Sequence, residues 1–250
     1  MRVPFVYHPD YHCELPSDHR FPMGKFKKLH DYLIQQRIVA ENDLCRPKPV
    51  PDEILYRVHS REYVANFREN RLDAKLMRKI GFPWSPELSR RTHIAVSGTL
   101  LTCRLALRHG ISCNLAGGTH HAFPDYGSGF CIYNDLAVAA RQLLHEQAVK
   151  RILIVDLDVH QGDGTHFIFK DEPRVFTFSI HCLKNFPVHK QAGDLDIEHP
   201  EGTGDREYLA CLQEVLPSLV DECRPDLILY DAGVDVHKDD RLGQFELTSN

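Results

Sequence analysis

"ILIVDLDVHQGDGTHFIF" (residues 152–169) decides how the chain is read. It opens as an unbroken apolar run rich in β-branched residues, the pattern of a strand buried on both faces. It then places Asp156, Asp158, His160 and Asp163 within eight residues. Side chains two apart on a strand share a face, so Asp156, Asp158 and His160 are expected on one side, with Leu157 and Val159 on the other. A buried carboxylate without a partner costs several kcal/mol. Two arrangements relieve that cost: carboxylates that cap loops and helix starts, or a bound metal ion. In open parallel sheets the ligand crevice lies at the carboxyl ends of the strands, where this cluster falls.

Working outward, "ISCNLA" (111–116), "RVFTFSI" (174–180) and "DLILYDA" (226–232) are further short apolar runs, and helical segments at 134–148 and 205–221 separate some of them. Apolar strands alternating with helices predict an α/β fold, a mostly parallel sheet flanked by helices on both faces. Nearer the N-terminus, residues 3–7 read as a strand. Residues 24–36 read as an amphipathic helix with Phe26, Leu29, Leu33 and Gln36 at helical spacing. Residues 59–67 form a short helix that Ser60 caps. Pro86 to Leu107 reads as a long helix with Ala95, Thr99, Cys103 and Ala106 on one face. The proline-rich stretch 45–53 lies too close to the N-terminus to bound a domain, so one domain over residues 1–250 is expected.

Composition narrows the function classes. The chain has 250 residues, 42% of them hydrophobic and 26% charged, enough for a sizeable core. A net charge of −5 with scattered basic residues argues against direct nucleic-acid binding. Eight cysteines at irregular spacings, with no CxxC pair, read as reduced thiols of a cytoplasmic protein. Cys131 reads as a small buried hydrophobe, and Trp84 as a packing residue. No apolar run reaches the ~20 residues that a membrane span needs.

Two other segments carry unusual charge. "YDAGVDVHKDDR" (230–241) follows an apolar strand, and both Asp231 and Asp235 are candidates for a third metal ligand beside Asp158 and His160. Gly233 lets the backbone turn inward and aim Asp235. Two aspartates and a histidine supply three protein ligands and leave a position open for water or substrate, the layout of a catalytic metal. His237, Asp239 and Asp240 read as a solvated face. "LAGGTHHAFPDYGSGFCIYNDLAVAA" (115–140) sets His120 and His121 after a Gly-Gly turn. Imidazoles beside a metal serve as electrostatic stabiliser and general base, each needing a carboxylate behind it. Asp156 and Asp163 remain for that role.

"GGTHHAFPDYGSGFCIYND", "VDLDVHQGDGT", "FTFSIH" and "AGVD" together resemble, in order and spacing, the signature segments of the histone deacetylase family. "RKIGFPWSPELSRR" and "VHKDDRLGQFELT" resemble its class IV branch and the related bacterial deacetylases. The resemblance implies a single-domain arginase–deacetylase fold and an amidohydrolase that removes an acyl group from lysine. It implies that Asp158, His160 and Asp235 hold a divalent metal, zinc or alternatively iron(II). It makes His121 the general base and acid backed by Asp163, and His120 the electrostatic partner backed by Asp156. Gly129, Phe130 and Phe186 would line an acyl-lysine tunnel. Asp156, Asp158, His160, Ser179 and Ile180 would hold a structural potassium, and Phe169, Glu172 and Val175 a second monovalent ion. The expected partner is an acyl-lysine protein or peptide, or a small acylated amine, met in the cytoplasm or, in a eukaryote, the nucleus. The family's Gly-Gly-Tyr segment, whose tyrosine stabilises the oxyanion, does not occur in these residues, so a C-terminally truncated domain is expected. Its absence supports an alternative reading, a metal-binding or interaction protein with weak or no turnover. An arginase-type ureohydrolase fits poorly: it needs Asp–x–His–x–Asp, whereas Gly162 stands two after His160 and Asp163 three after.

Overall fold

The computed structural model describes residues 3–249. The chain forms two compact units, one running to His145 and the other starting at Glu146. Each is built on its own parallel sheet with helices, so the α/β class expected from the sequence holds while the strands divide between two sheets.

In the first unit β1 (Phe5–Val6) lies between β2 (Leu44–Cys45) and β3 (Cys113–Asn114), with parallel pairing throughout. The strand predicted over 111–116 is reduced to β3, although Leu115 N still donates to Val6 O at 2.9 Å. Helix α1 (Lys25–Gln35) buries Phe26 and Leu33 but leaves Leu29 43% exposed, so its apolar stripe is narrower than the spacing suggested. The proline-rich stretch ends in a short helix, α2 (Asp52–Leu55). Ser60 Oγ accepts the Tyr63 N–H at the start of α3 (Arg61–Arg68), as its position predicted. A helix not foreseen, α4 (Ala74–Ile80), is opened by Asp73 and closed by Gly81 in the left-handed region. The long helix α5 (Pro86–His109) starts at the Ser85 cap and buries Ala95, Thr99 and Cys103. Trp84 donates its indole N–H to Phe67 O at 2.7 Å, a packing role. Helix α6 (Asp135–His145) completes the unit.

In the second unit the sheet order is β6-β5-β4-β7, from β4 (Ile152–Asp156), β5 (Val175–Cys182), β6 (Leu195–His199) and β7 (Leu227–Asp231). All five residues of β4 are buried, as an apolar run flanked by two partners requires. Burying side chains such as Ile152, Leu153 and Ile154 stabilises the fold by about 1.5–3 kcal/mol each. Strand β6 escapes a pattern search because Asp196 and Glu198 interrupt it on an edge of the sheet. Helix α7 (Asp163–Phe169) begins inside the charged stretch, and α8 (Asp205–Cys223) precedes β7.

One expectation is corrected here. Strand β4 stops at Asp156, so Asp158 and His160 lie on the following loop and the two-residue alternation does not place them. Backbone hydrogen bonds place them instead. No helix among the described residues is long and apolar enough to cross a membrane.

Candidate functional site

The loop after β4 is shaped by its own carboxylates. Asp158 N–H donates to Asp156 Oδ1 at 3.1 Å, and His160 N–H donates to Asp158 Oδ1 at 2.9 Å. Val159 N–H donates to Asp235 Oδ1 at 3.0 Å, which ties the segment after β7 to the same loop. These are the capping bonds that the sequence offered as an alternative to metal binding. They do not exclude a metal, because each carboxylate retains further lone pairs.

Those lone pairs converge on one imidazole nitrogen. His160 Nδ1 lies 2.9 Å from Asp158 Oδ1 and 3.0 Å from Asp235 Oδ2. One donor atom from each residue lies within 4.8 Å of the other two. Asp235, and not Asp231, completes this trio. Gly233 makes the approach possible: a Cβ there would stand 2.4 Å from Asp158 Cα. Burial penalises charge on His160, but hydrogen bonds to Asp158 and Asp235 outweigh it and lift its pKa to about 9. Burial first, and then the Asp158 charge, raises the pKa of Asp235. Two carboxylates forced together, with a positive charge drawn between them, form a donor set that suits a cation. Two oxygens and one nitrogen are acceptable to zinc and to other first-row divalent ions.

In the first unit, Gly117 (φ 113°) and Gly118 (φ 74°) take left-handed conformations that turn the chain into the histidine pair. His120 and His121 are buried, with their Nε2 atoms 3.1 Å apart. A contact that short needs one N–H donor and one bare nitrogen, so the two facing positions share a single proton. Two residues that sequence reading left without a role hold this loop. Asp135 is fully buried and accepts from Thr119 N at 2.7 Å, Thr119 Oγ1 at 2.6 Å and Gly118 N at 3.3 Å. Asn134 donates to the carbonyls of His120 and Ala122 at 3.2 and 3.3 Å. Its side-chain oxygen also accepts Ala137 N–H, capping α6.

Asn134 is itself held by His59. His59 Nε2 accepts the Asn134 N–H at 3.0 Å, while Nδ1 donates to Phe123 O at 3.0 Å. Burial pushes its pKa down to about 4 from an ordinary 6.5, so the ring is neutral. The unfolded chain binds this proton below pH 6.5 and the folded chain only near pH 4. The stability held by neutral His59 is therefore complete above pH 6.5 and is lost as pH falls to 4, by about 3 kcal/mol. Urea unfolding at pH 7 and pH 4 is expected to show a loss about 3 kcal/mol larger for the parent chain than for His59→Gln. Equal losses would mean that the ring is not buried neutral.

Phe130 (φ 64°) and Gly129 (φ 53°) are both left-handed, a costly conformation for a bulky residue. Backbone bonds enforce it: Gly129 N–H to Lys79 O at 3.2 Å and Phe130 N–H to Ile80 O at 2.8 Å. The Phe130 ring packs against Phe21 and Phe82, each 5.4 Å away between centroids. In the second unit Phe186 is 38% exposed and stands edge-on to His160 at 6.3 Å. Ser179 is fully buried, pairs in register with Asp156, and meets His181 Nδ1 at 2.9 Å. Phe169 O accepts Glu172 N–H at 2.8 Å and Glu172 O accepts Val175 N–H at 3.0 Å. Asp163, the first residue of α7, accepts Gly164 N–H at 3.0 Å. Asp239 and Asp240 are exposed, as expected of a solvated face, and Cys131 is buried, its thiol donating to Gly129 O at 3.5 Å.

Comparison with known proteins places these residues in context. The histone deacetylase domain family matches residues 19–250. An uncharacterized protein of Picosynechococcus sp. is 52% identical over the whole chain, which covers 83% of that protein. Histone deacetylase 2 of Arabidopsis thaliana is 26% identical over 99% of the chain, and acetoin utilization protein AcuC of Staphylococcus aureus 29% identical over 93%. The chain spans 67% and 65% of those two proteins. Among solved structures, a histone deacetylase homologue complexed with SAHA is 25% identical with a TM-score of 0.83, over 99% of this chain and 73% of that one. The HD domain of HDA15 has the same TM-score at 20% identity, over 98% and 78%, a likeness of fold.

Proposed function

The chain belongs to the histone deacetylase domain family, and from that premise we propose that it is a metal-dependent deacylase acting on acyl-lysine or a related acylated amine. The observation that carries the reading is the meeting of Asp158, His160 and Asp235 at one point. The proposed metal is zinc, with iron(II) as the alternative. When bound, it supplies Lewis-acid polarisation of the amide carbonyl and lowers the pKa of water.

The chain's own groups do the rest. His121 takes the proton of the attacking water as the new C–O bond forms, then passes it to the amine nitrogen as the C–N bond breaks. His120 stabilises the charge that develops. Asp163 and Asp156 hold the two imidazoles in the tautomers these roles need. The contact between His120 and His121 supports the pairing, because a hydrogen bond across it takes one N–H donor and one bare nitrogen. Gly129, Phe130 and Phe186 are the proposed walls of the acyl-lysine path, supported by the enforced turn at Gly129 and Phe130 and by the Phe186–His160 contact.

A structural potassium ion is proposed at Asp156, Asp158, His160, Ser179 and Ile180, supported by the burial of Ser179 beside Asp156. A second monovalent ion is proposed at Phe169, Glu172 and Val175, supported by the tight turn in which Phe169 O accepts Glu172 N–H and Glu172 O accepts Val175 N–H. A single deacetylase domain over the whole chain, and the cytoplasm as its compartment, complete the reading; the compartment rests on the cysteine spacings.

Purified protein reconstituted with zinc or iron(II) is expected to release acid from an acyl-lysine peptide, and to stop when a chelator removes the ion. Acetyl, longer acyl and acylated-polyamine substrates should be compared in one series. Metal held at one equivalent without turnover of any of them would overturn the deacylase reading and favour the silent metal-binding alternative.

A further inference from the structure

Between β5 and β6 the chain runs from 183 to 194 without a helix, although parallel neighbours are usually joined by one. Among the described residues, backbone bonds anchor the start of this segment, Leu183 N–H to His199 O and Asn185 N–H to Cys182 O, and side chains hold the rest of 183–191. Lys190 Nζ donates to Asn185 O at 2.8 Å and to Pro187 O at 2.9 Å, the two carbonyls that bracket Phe186. Asn185 Oδ1 accepts the Phe186 N–H at 2.7 Å, and Asn185 Nδ2 donates to Leu242 O at 2.9 Å. At the far end Gln161, the neighbour of His160, clamps Gln191 in both directions: Nε2 donates to Gln191 O at 2.8 Å and Oε1 accepts Gln191 N–H at 2.9 Å. Phe186 is thereby presented edge-on to His160 and remains 38% exposed.

We propose that Lys190 is a positioning residue: its ammonium staples the turn around Phe186, fixes that ring beside His160, and so selects the acyl chain that reaches the site. The selectivity part rests on the deacylase reading; the staple does not. A charged donor on two carbonyls is stronger than any neutral bond in this loop. Burial lowers the lysine's pKa, and the Glu198 charge, the largest opposing influence, offsets part of that lowering. Freed of the staple, the turn opens locally, and a ring that must be ordered at each binding event costs affinity.

The test uses the full chain with Lys190→Met, and with Lys190→Arg as the conservative variant. Hydrogen exchange of the segment 183–191 is expected to quicken about tenfold or more in Lys190→Met and to recover in Lys190→Arg. For an acetyl-lysine peptide KM is expected to rise about five- to tenfold with a smaller change in kcat, and the KM preference between acetyl and octanoyl chains to narrow. Unchanged exchange overturns the staple, whether or not the parent chain turns over any peptide. Faster exchange with an unaltered acetyl-to-octanoyl KM ratio, or a parent chain inactive on every acyl peptide, overturns the selectivity. If Lys190→Met does not fold, Lys190→Gln, with one uncharged donor group, replaces it under the same criteria.

Discussion

Asp158→Ala is expected to leave the purified protein without its divalent metal and to lower acyl-lysine hydrolysis below detection. The substitution removes one of three donors and one of the two carboxylates that meet His160 Nδ1. It also removes the acceptor of the His160 N–H, so alanine alone does not separate metal binding from loop capping. Asp158→Asn does. The amide keeps a carbonyl oxygen for the His160 N–H but loses the negative charge a cation needs. If capping is the whole role of Asp158, the asparagine variant binds metal and works like the parent chain. If the carboxylate is a ligand, metal affinity falls by about 100-fold or more. Metal content by mass spectrometry, read beside turnover, distinguishes the two.

His121→Ala is expected to keep the metal and lose the reaction. A positioned general base contributes about 10²–10⁴ in rate, so kcat is expected to fall by that factor while metal content stays near the parent value. His120→Ala, which removes the other half of the 3.1 Å contact, is expected to slow the reaction less and to change its pH profile. Loss of metal from His121→Ala would place that ring among the ligands and overturn the division of roles. Full activity in His121→Ala would remove its role altogether.

What could be read in advance followed local rules. The run 152–155 is apolar on both faces, and a central strand is the structure that tolerates that. The cap at Ser60 lies next to the helix it starts. Gly233 was legible as a turn point because Asp235 had to be aimed from somewhere. The Asp158–His160 pair was also legible, but for a partly wrong reason. Strand alternation grouped it, whereas in the fold the strand has ended and hydrogen bonds from the loop's own amides do the grouping.

What escaped depended on distant partners. Asp135 appears in the sequence as an ordinary acidic residue in the first turn of a helix; its bonds reach back to Gly118 and Thr119. His59 acts on Asn134 from 75 positions away, with no periodicity to betray it. Strand β6 carries charges because it lies at a sheet edge, and only the sheet order makes that visible. The histidine loop was therefore found by its chemistry, while the residues that hold it were not.

If Asp158, His160 and Asp235 hold one divalent ion together, X-ray absorption at the zinc edge of the reconstituted protein will show one zinc per chain in a shell of oxygen and nitrogen at about 2.0–2.1 Å with the scattering of a single imidazole, lost in Asp235→Ala. Sulfur scattering at about 2.3 Å, or a shell unaltered by Asp235→Ala, would contradict it.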